Sequence, residues 1–159
     1  MKEKIFLLTV LSLVATSLQA ATVSVNAKLQ VIDPATEVVM NLSNTAMAFG
    51  DQLIREGEIL SPERIDVMLE GTKAAVLTVP AKVELTSSEG AKINLLTKLV
   101  GVGDDSSGTV TLGDANHTYN VELSAGEKDI VRLEGALKLF GTEMAGMYTG
   151  TVALSASYN

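Results

Sequence analysis

Apolar and polar residues alternate with a period of two along most of the chain, which is typical of strands that bury one face. Gly, Pro, Asn and Asp residues separate the alternating windows and predict turns. Several short strands of this kind are typical of an all-β sandwich or barrel. The predicted strands cover residues 21–31, 37–42, 47–49, 65–70, 75–79, 82–85, 93–100, 110–112, 119–123, 131–139 and 151–158.

Three places interrupt the alternation. The charged segment 52–62 contains Pro62 and predicts a loop. The segment GVGDDSSG, residues 101–108, predicts a flexible loop because it is rich in Gly and Ser. Gly135 lies inside an apolar window and marks a candidate β-bulge.

The first window has the most regular alternation. One face of the predicted strand would carry Val23, Val25, Ala27, Leu29 and Val31, and the other Ser24, Asn26, Lys28 and Gln30. Pro34 separates this segment from the next strand. Two alternatives follow. Residues 21–34 are an arm that pairs with another chain, or they are the first strand of a self-contained sandwich.

The last window favours the arm. The final strand, VALSASYN, is not followed by the further strand that an immunoglobulin-like sandwich needs. We therefore expect an incomplete immunoglobulin-like β-sandwich, with an open groove and an N-terminal donor-strand extension. The arm of one molecule would fill the groove of the next by strand addition. Such head-to-tail contacts do not close on themselves and generate filaments.

The first twenty residues predict a cleaved signal peptide. Lys2 and Lys4 precede an apolar run, and small residues follow around Ala20. We expect an exported protein with an arm at 21–34 and an immunoglobulin-like domain at 35–159. The absence of cysteine excludes disulfides and thiol chemistry. A net charge of −7 disfavours nucleic-acid binding.

The sequence offers little catalytic chemistry. Its one histidine, His117, lies at the start of a strand without a nucleophile motif, and we predict a surface position. Asp104 and Asp105 predict a solvated loop rather than a calcium site. We predict that the side chains of Asp129 and Glu134 face solvent. We therefore expect no catalytic residue, no cofactor and no metal site.

Both ends of the chain resemble the subunits of chaperone–usher pili. Those subunits commonly carry a penultimate aromatic residue, here Tyr158, and a glycine fourteen residues from the C-terminus, here Gly146. The strand VALSASYN is similar to the one that a periplasmic chaperone grips. Since cysteine is absent, the resemblance is to cysteine-free fimbrial major subunits. MYTGTVALSASYN also resembles bacterial β-sandwich proteins of unassigned function that end in a Tyr-x-Gly-x-Val strand.

The resemblance implies a non-enzymatic subunit of a cell-surface fimbrium that polymerises by donor-strand complementation and contributes to adhesion. It implies identical neighbouring subunits, a periplasmic chaperone and an outer-membrane usher as partners. A tip adhesin is a further partner that is compatible with the resemblance. The protein would pass through the periplasm. The acceptor groove and chaperone-binding strand would use Gly146, Val152, Leu154, Ala156 and Tyr158. The alternative is a monomeric, self-contained β-sandwich binding module, exported to the periplasm or surface.

Overall fold

A computed structural model describes residues 21–32 and 38–159. The predicted signal peptide, residues 1–20, and the predicted break at Pro34 lie outside the described residues. The strands are β1 (Thr22–Ile32), β2 (Val39–Leu42), β3 (Ala46–Leu53), β4 (Glu56–Leu60), β5 (Ile65–Glu70), β6 (Ala75–Pro80), β7 (Lys82–Ser87), β8 (Lys92–Gly101), β9 (Thr109–Leu112), β10 (Asn116–Val121), β11 (Lys128–Phe140) and β12 (Gly146–Tyr158). A short 3-10 turn, Gly103–Asp105, follows β8.

Alternation along the strands matches their burial. In β5, Ile65, Val67 and Leu69 are fully buried, while the residues between them are half-buried on the other face. Successive side chains of a strand point to opposite faces, so this pattern buries one face only. The all-β sandwich-like fold predicted from the sequence is confirmed.

The twelve strands form one hydrogen-bonded network that folds over a single core. The main path runs β2-β5-β11-β8-β7-β12-β6-β10-β9. β4 joins it by pairing with β11, and β1 joins it by pairing with β12, with β3 on its other side. A short ladder between β7 and β12, at Thr86 and Ser87, joins two layers. The first layer contains β2, β4, β5, β11, β8 and β7, and the second contains β12, β6, β10 and β9. β1 and β3 thereby extend one layer beyond β12.

The two layers pack closely where β3 crosses β11. A Cβ atom added to Gly135 would lie 2.6 Å from Met47 Sδ and 3.2 Å from Leu95 Cδ1. The β11–β8 register runs without a shift through the pair Gly135–Thr97, so the bulge predicted at Gly135 is wrong. The glycine instead provides space for Met47 to enter the core.

The loop predicted over residues 52–62 is also wrong. β3 continues to Leu53, and β4 pairs antiparallel with β11 from Leu60–Ala136 to Glu56–Phe140. β4 lies at an edge, where charged side chains such as Glu56 and Glu58 remain exposed. Charges are common on edge strands because they discourage pairing with other chains. Their presence concealed the strand in the sequence.

We expect Gly135→Ala to destabilise the protein by about 1–3 kcal/mol, because the new methyl group overpacks the contact with Met47. Gly101→Ala is the matched control on β8, since its added Cβ would meet Ser106 at an ordinary 3.5 Å. Urea denaturation of the two variants measures the difference in unfolding free energy. Equal midpoints would show that the layers accommodate the methyl group.

Candidate functional site

The N-terminal strand β1 lies between the last strand, β12, and β3. It runs parallel to β12, from the pair Val23–Gly146 to the pair Ile32–Ser155. It runs antiparallel to β3, from Thr22–Leu53 to Lys28–Ala46. In this structure β1 pairs with strands of its own chain, which corresponds to the second alternative, the first strand of a self-contained sandwich. We call the gap that β1 fills between β12 and β3 the β1 slot.

The inward face of β1 is the predicted one. Val23 and Ala27 are fully buried, and Val25 and Leu29 are 2% and 3% exposed. Val31, the fifth predicted residue, is 37% exposed because it lies at the end of the slot. Pairing in a shifted register by one residue would bury polar side chains such as Lys28 instead. The alternation therefore specifies the buried face and excludes a register shifted by one residue.

The two walls of the slot contribute buried side chains of their own. β12 supplies Tyr148, Val152 and Leu154, and β3 supplies Met47 and Phe49. These five residues share one core cluster with the inward face of β1. Without β1, the slot would expose apolar side chains and two unpaired strand edges.

The predicted acceptor residues divide into two groups. Gly146, Val152 and Leu154 lie directly beside β1, opposite Val23, Leu29 and Val31. Ala156 and Tyr158 lie beyond the β1 ladder and pair with Leu77 and Ala75 of β6. The structure thus places three of the five predicted acceptor residues at the slot.

Tyr158 has a different contact. Its hydroxyl accepts a hydrogen bond of 3.0 Å from the Thr72 N–H, and Lys73 Nζ lies 5.6 Å from the centre of its ring. The penultimate aromatic residue therefore holds the turn between β5 and β6.

The wall formed by β3 was missed in the sequence, which predicted only a short apolar piece there. The register between β1 and β3 shifts at Val25/Asn26, where Gly50 has a φ of +65°. A glycine tolerates this conformation without strain. Met47 and Phe49, two residues apart, both face the core, and the alternation ends at the bulge, since Gly50 and Asp51 are exposed. The signal was present as glycine at the end of an apolar run, which is typical of a bulge.

A second polar cluster lies away from the slot, around Asp129. This residue is 4% exposed, so the solvent-facing position predicted for it is wrong. Its carboxylate accepts hydrogen bonds from the Ser107 N–H at 2.7 Å, from the Ser107 hydroxyl at 2.6 Å, and from the Tyr119 hydroxyl. Glu134 does lie on the outward face of β11.

Hydrogen bonds around Asp129 hold the glycine-rich loop, residues 101–108, against the sheet. The Gly108 N–H donates to the Tyr119 hydroxyl at 2.8 Å, and the Ser106 hydroxyl donates to the Ile130 carbonyl. The loop is therefore fixed at residues 106–108, where the sequence predicted flexibility. Asp104 and Asp105 are exposed, as expected for a solvated turn.

His117 is buried rather than on the surface, with 8% of its area exposed. Its Nε2 lies 2.8 Å from the Thr97 carbonyl oxygen, which can only accept, so Nε2 carries the proton. Nδ1 is buried without a partner. The Thr97 hydroxyl donates in turn to the Pro80 carbonyl at 2.5 Å. His117 therefore joins β10 to β8 through a hydrogen bond.

Within residues 21–32 and 38–159, no group of three or more His, Asp or Glu side chains is arranged to hold a metal ion. In the same part of the chain, no helix is long and apolar enough to cross a membrane. A scan against protein-family models finds none that matches the chain, and a search of curated proteins finds no match either. The β1 slot is thus the feature with the clearest functional geometry.

Stability should fall at high pH because of Tyr119. Burial, and then the hydrogen bond to Asp129, raise the pKa of Tyr119 to about 12. An unfolded tyrosine loses its proton near pH 10, so the folded chain binds the proton more tightly. This contribution is complete below about pH 10 and is lost as the pH rises toward 12.

Tyr119→Phe lacks this titration. The difference in unfolding free energy between wild type and Tyr119→Phe should shrink between about pH 10 and pH 12 in urea titrations. The lysines and the remaining tyrosines titrate in both proteins, so their contributions cancel in that difference. A difference that stays constant with pH would contradict the assignment.

Proposed function

We propose that this protein is a structural subunit of a bacterial surface fibre, which polymerises head-to-tail by strand exchange and contributes to adhesion. The observation that supports this proposal is the insertion of β1 into the β1 slot. A strand from one end of the chain completes a core whose other wall is the last strand. A second copy of β1 would make the same contacts in the same slot.

Exchange of this kind is a form of domain swapping, in which an identical element is traded between copies. When β1 of one subunit enters the slot of another, its own slot becomes free for a third. The contact is heterologous, and repetition produces a filament rather than a closed dimer. The acidic charge of −7 is compatible with a soluble subunit before assembly.

The in-chain form requires assistance before assembly. The attached β1 is present at a high effective concentration, so it competes strongly with the β1 of any neighbour. A periplasmic chaperone that occupies the slot during export would prevent this closure. At an outer-membrane usher, β1 of the next subunit would then replace the chaperone in the slot. These partners, the identical neighbours and a tip adhesin follow from the resemblance of the chain to pilus subunits. The role is non-enzymatic and needs no cofactor.

A second candidate is a self-contained, monomeric binding module that is exported to the periplasm or cell surface. It is favoured by one observation, since β1 already fills the slot of its own chain. In that case β1 would be a permanent first strand.

A disulfide lock separates the two candidates. Asn26 and Thr149 are adjacent on β1 and β12, and both side chains are exposed. Neighbouring strands place such pairs within the distance that a disulfide bridges. We expect the double variant Asn26→Cys/Thr149→Cys, when oxidised, to remain a monomer at high concentration. Reduction should release β1 and restore a ladder of oligomers on unheated detergent gels.

The natural chain contains no cysteine, so the disulfide forms without competing thiols. Each single-cysteine variant controls for the substitution itself. Assembly by the fully oxidised double variant would contradict strand exchange. A wild-type protein that stays monomeric when assisted by mild denaturant would support the self-contained module.

Leu29→Asp tests the donor role of β1. The change places a charge in an apolar slot, where an unpaired charge is strongly disfavoured. The variant should not form oligomers alone, because its β1 cannot fill a slot. Mixed with wild type, it should accept a wild-type β1 and shorten the ladder, since it then ends the chain.

Lys28→Asp is the matched control, because Lys28 is exposed on the outward face of the same strand. This variant should assemble like wild type. Gel ladders and size-exclusion profiles measure both outcomes. A normal ladder from Leu29→Asp, or an equal loss in Lys28→Asp, would count against the donor role.

A further inference from the structure

β3 has an unusual position, because β1 is its only strand partner among the described strands. It forms the outer wall of the β1 slot, and its other edge carries no strand. When β1 leaves, β3 loses its entire backbone ladder. Contacts other than strand pairing must then hold the wall in place.

The ladder defines which groups of β3 face away from β1. The Leu29 N–H donates to the Thr45 carbonyl at 2.8 Å. Backbone groups alternate in direction along an antiparallel pair, so the N–H groups of Ala46 and Ala48 point outward. These two donors lie on the unpaired edge.

Side chains satisfy both outward donors. Asn44 Oδ1 accepts from the Ala46 N–H at 3.3 Å, as a local turn contact two residues away. Glu63 Oε2 accepts from the Ala48 N–H at 3.3 Å, from fifteen residues along the chain. Only the second of these contacts joins β3 to another part of the fold.

Glu63 is itself anchored to the opposite layer. The Ser61 N–H donates to the Gly135 carbonyl of β11 at 2.7 Å. The Ser61 hydroxyl donates to the Glu63 carbonyl at 2.9 Å and accepts from the Glu63 N–H at 3.2 Å. The half-buried carboxylate therefore extends from a segment fixed on β11 to the edge of β3.

We propose that Glu63 is a positioning residue that latches β3 to the opposite layer and thereby controls how readily β1 leaves its slot. The carboxylate is a charged acceptor for this backbone N–H, and the bond, at 3.3 Å, is a long one. The bond is independent of β1, so it persists when the slot opens. It also occupies the Ala48 N–H at the outer edge of β3, a donor that an added strand would otherwise use.

We call the hydrogen bond between Glu63 and the Ala48 N–H the latch. It forms within a single chain, whereas its effect on assembly rests on the strand-exchange function proposed above. Loss of the latch lets β3 move outward, which lowers the barrier to release of β1. Release should then be faster, and strand exchange between copies should start sooner. The two consequences are measured separately.

Hydrogen exchange of the full-length monomer tests the latch. In Glu63→Ala we expect the amides of β1 and β3 to exchange about tenfold faster, since a hydrogen bond to a charged group is lost. The amides of β10 and β11 should stay within about twofold of wild type, because they lie in separately paired parts of the sheet. Glu63→Gln keeps an acceptor oxygen and should restore most of the protection.

Glu58→Ala is the matched control, because Glu58 is an exposed glutamate on the neighbouring strand β4. It should leave the exchange of β1 unchanged. Unchanged β1 exchange in Glu63→Ala would overturn the proposal, as would an equal increase throughout the sheet. If the selective increase occurs but no variant forms oligomers, the latch stands and the fibre function fails.

Discussion

The fold depends on one interaction, the insertion of β1 between β12 and β3. Its ladder satisfies backbone groups on two strands, and unpaired backbone groups in a buried position are costly. Its inward face covers Met47 and Tyr148, which have no accessible area when β1 is in place. Because β3 pairs with no other described strand, both the backbone and the core of this layer rely on β1.

Much of this arrangement could be predicted from the alternation of residues, because the burial of a strand face is a local property. Val23, Val25, Ala27 and Leu29 are buried as predicted. The identity of the strand that covers them is not local, since any correctly spaced partner buries the same face. The bulge at Gly50 and the wall formed by β3 depend on that partner, which explains why the sequence indicated them only weakly.

Two buried polar residues were placed wrongly for a related reason. His117 is in phase with the buried Tyr119 and Val121, and Asp129 is in phase with the buried Val131. The phase of each strand therefore decides which face is buried, whatever the polarity of the single residue. A polar residue in phase with a buried face is satisfied by hydrogen bonds, and both residues follow that rule through the Thr97 carbonyl and Ser107. β4 was missed because its exposed charges hide any alternation.

The β1 of the same chain and the β1 of a neighbouring chain would make the same contacts in the slot. The shape of the slot therefore does not discriminate between these two strands. The thermodynamic difference lies in the connection, since an attached strand has a high effective concentration and a neighbour's strand does not. In the proposed strand exchange, closed monomers and filaments would interconvert only as fast as β1 is released. Release requires the walls of the slot to separate, and a buried, fully paired strand makes that step slow. Control of the proposed exchange would therefore lie with the residues that hold the walls, and Glu63 is placed for this role because it binds the Ala48 N–H at the edge of β3.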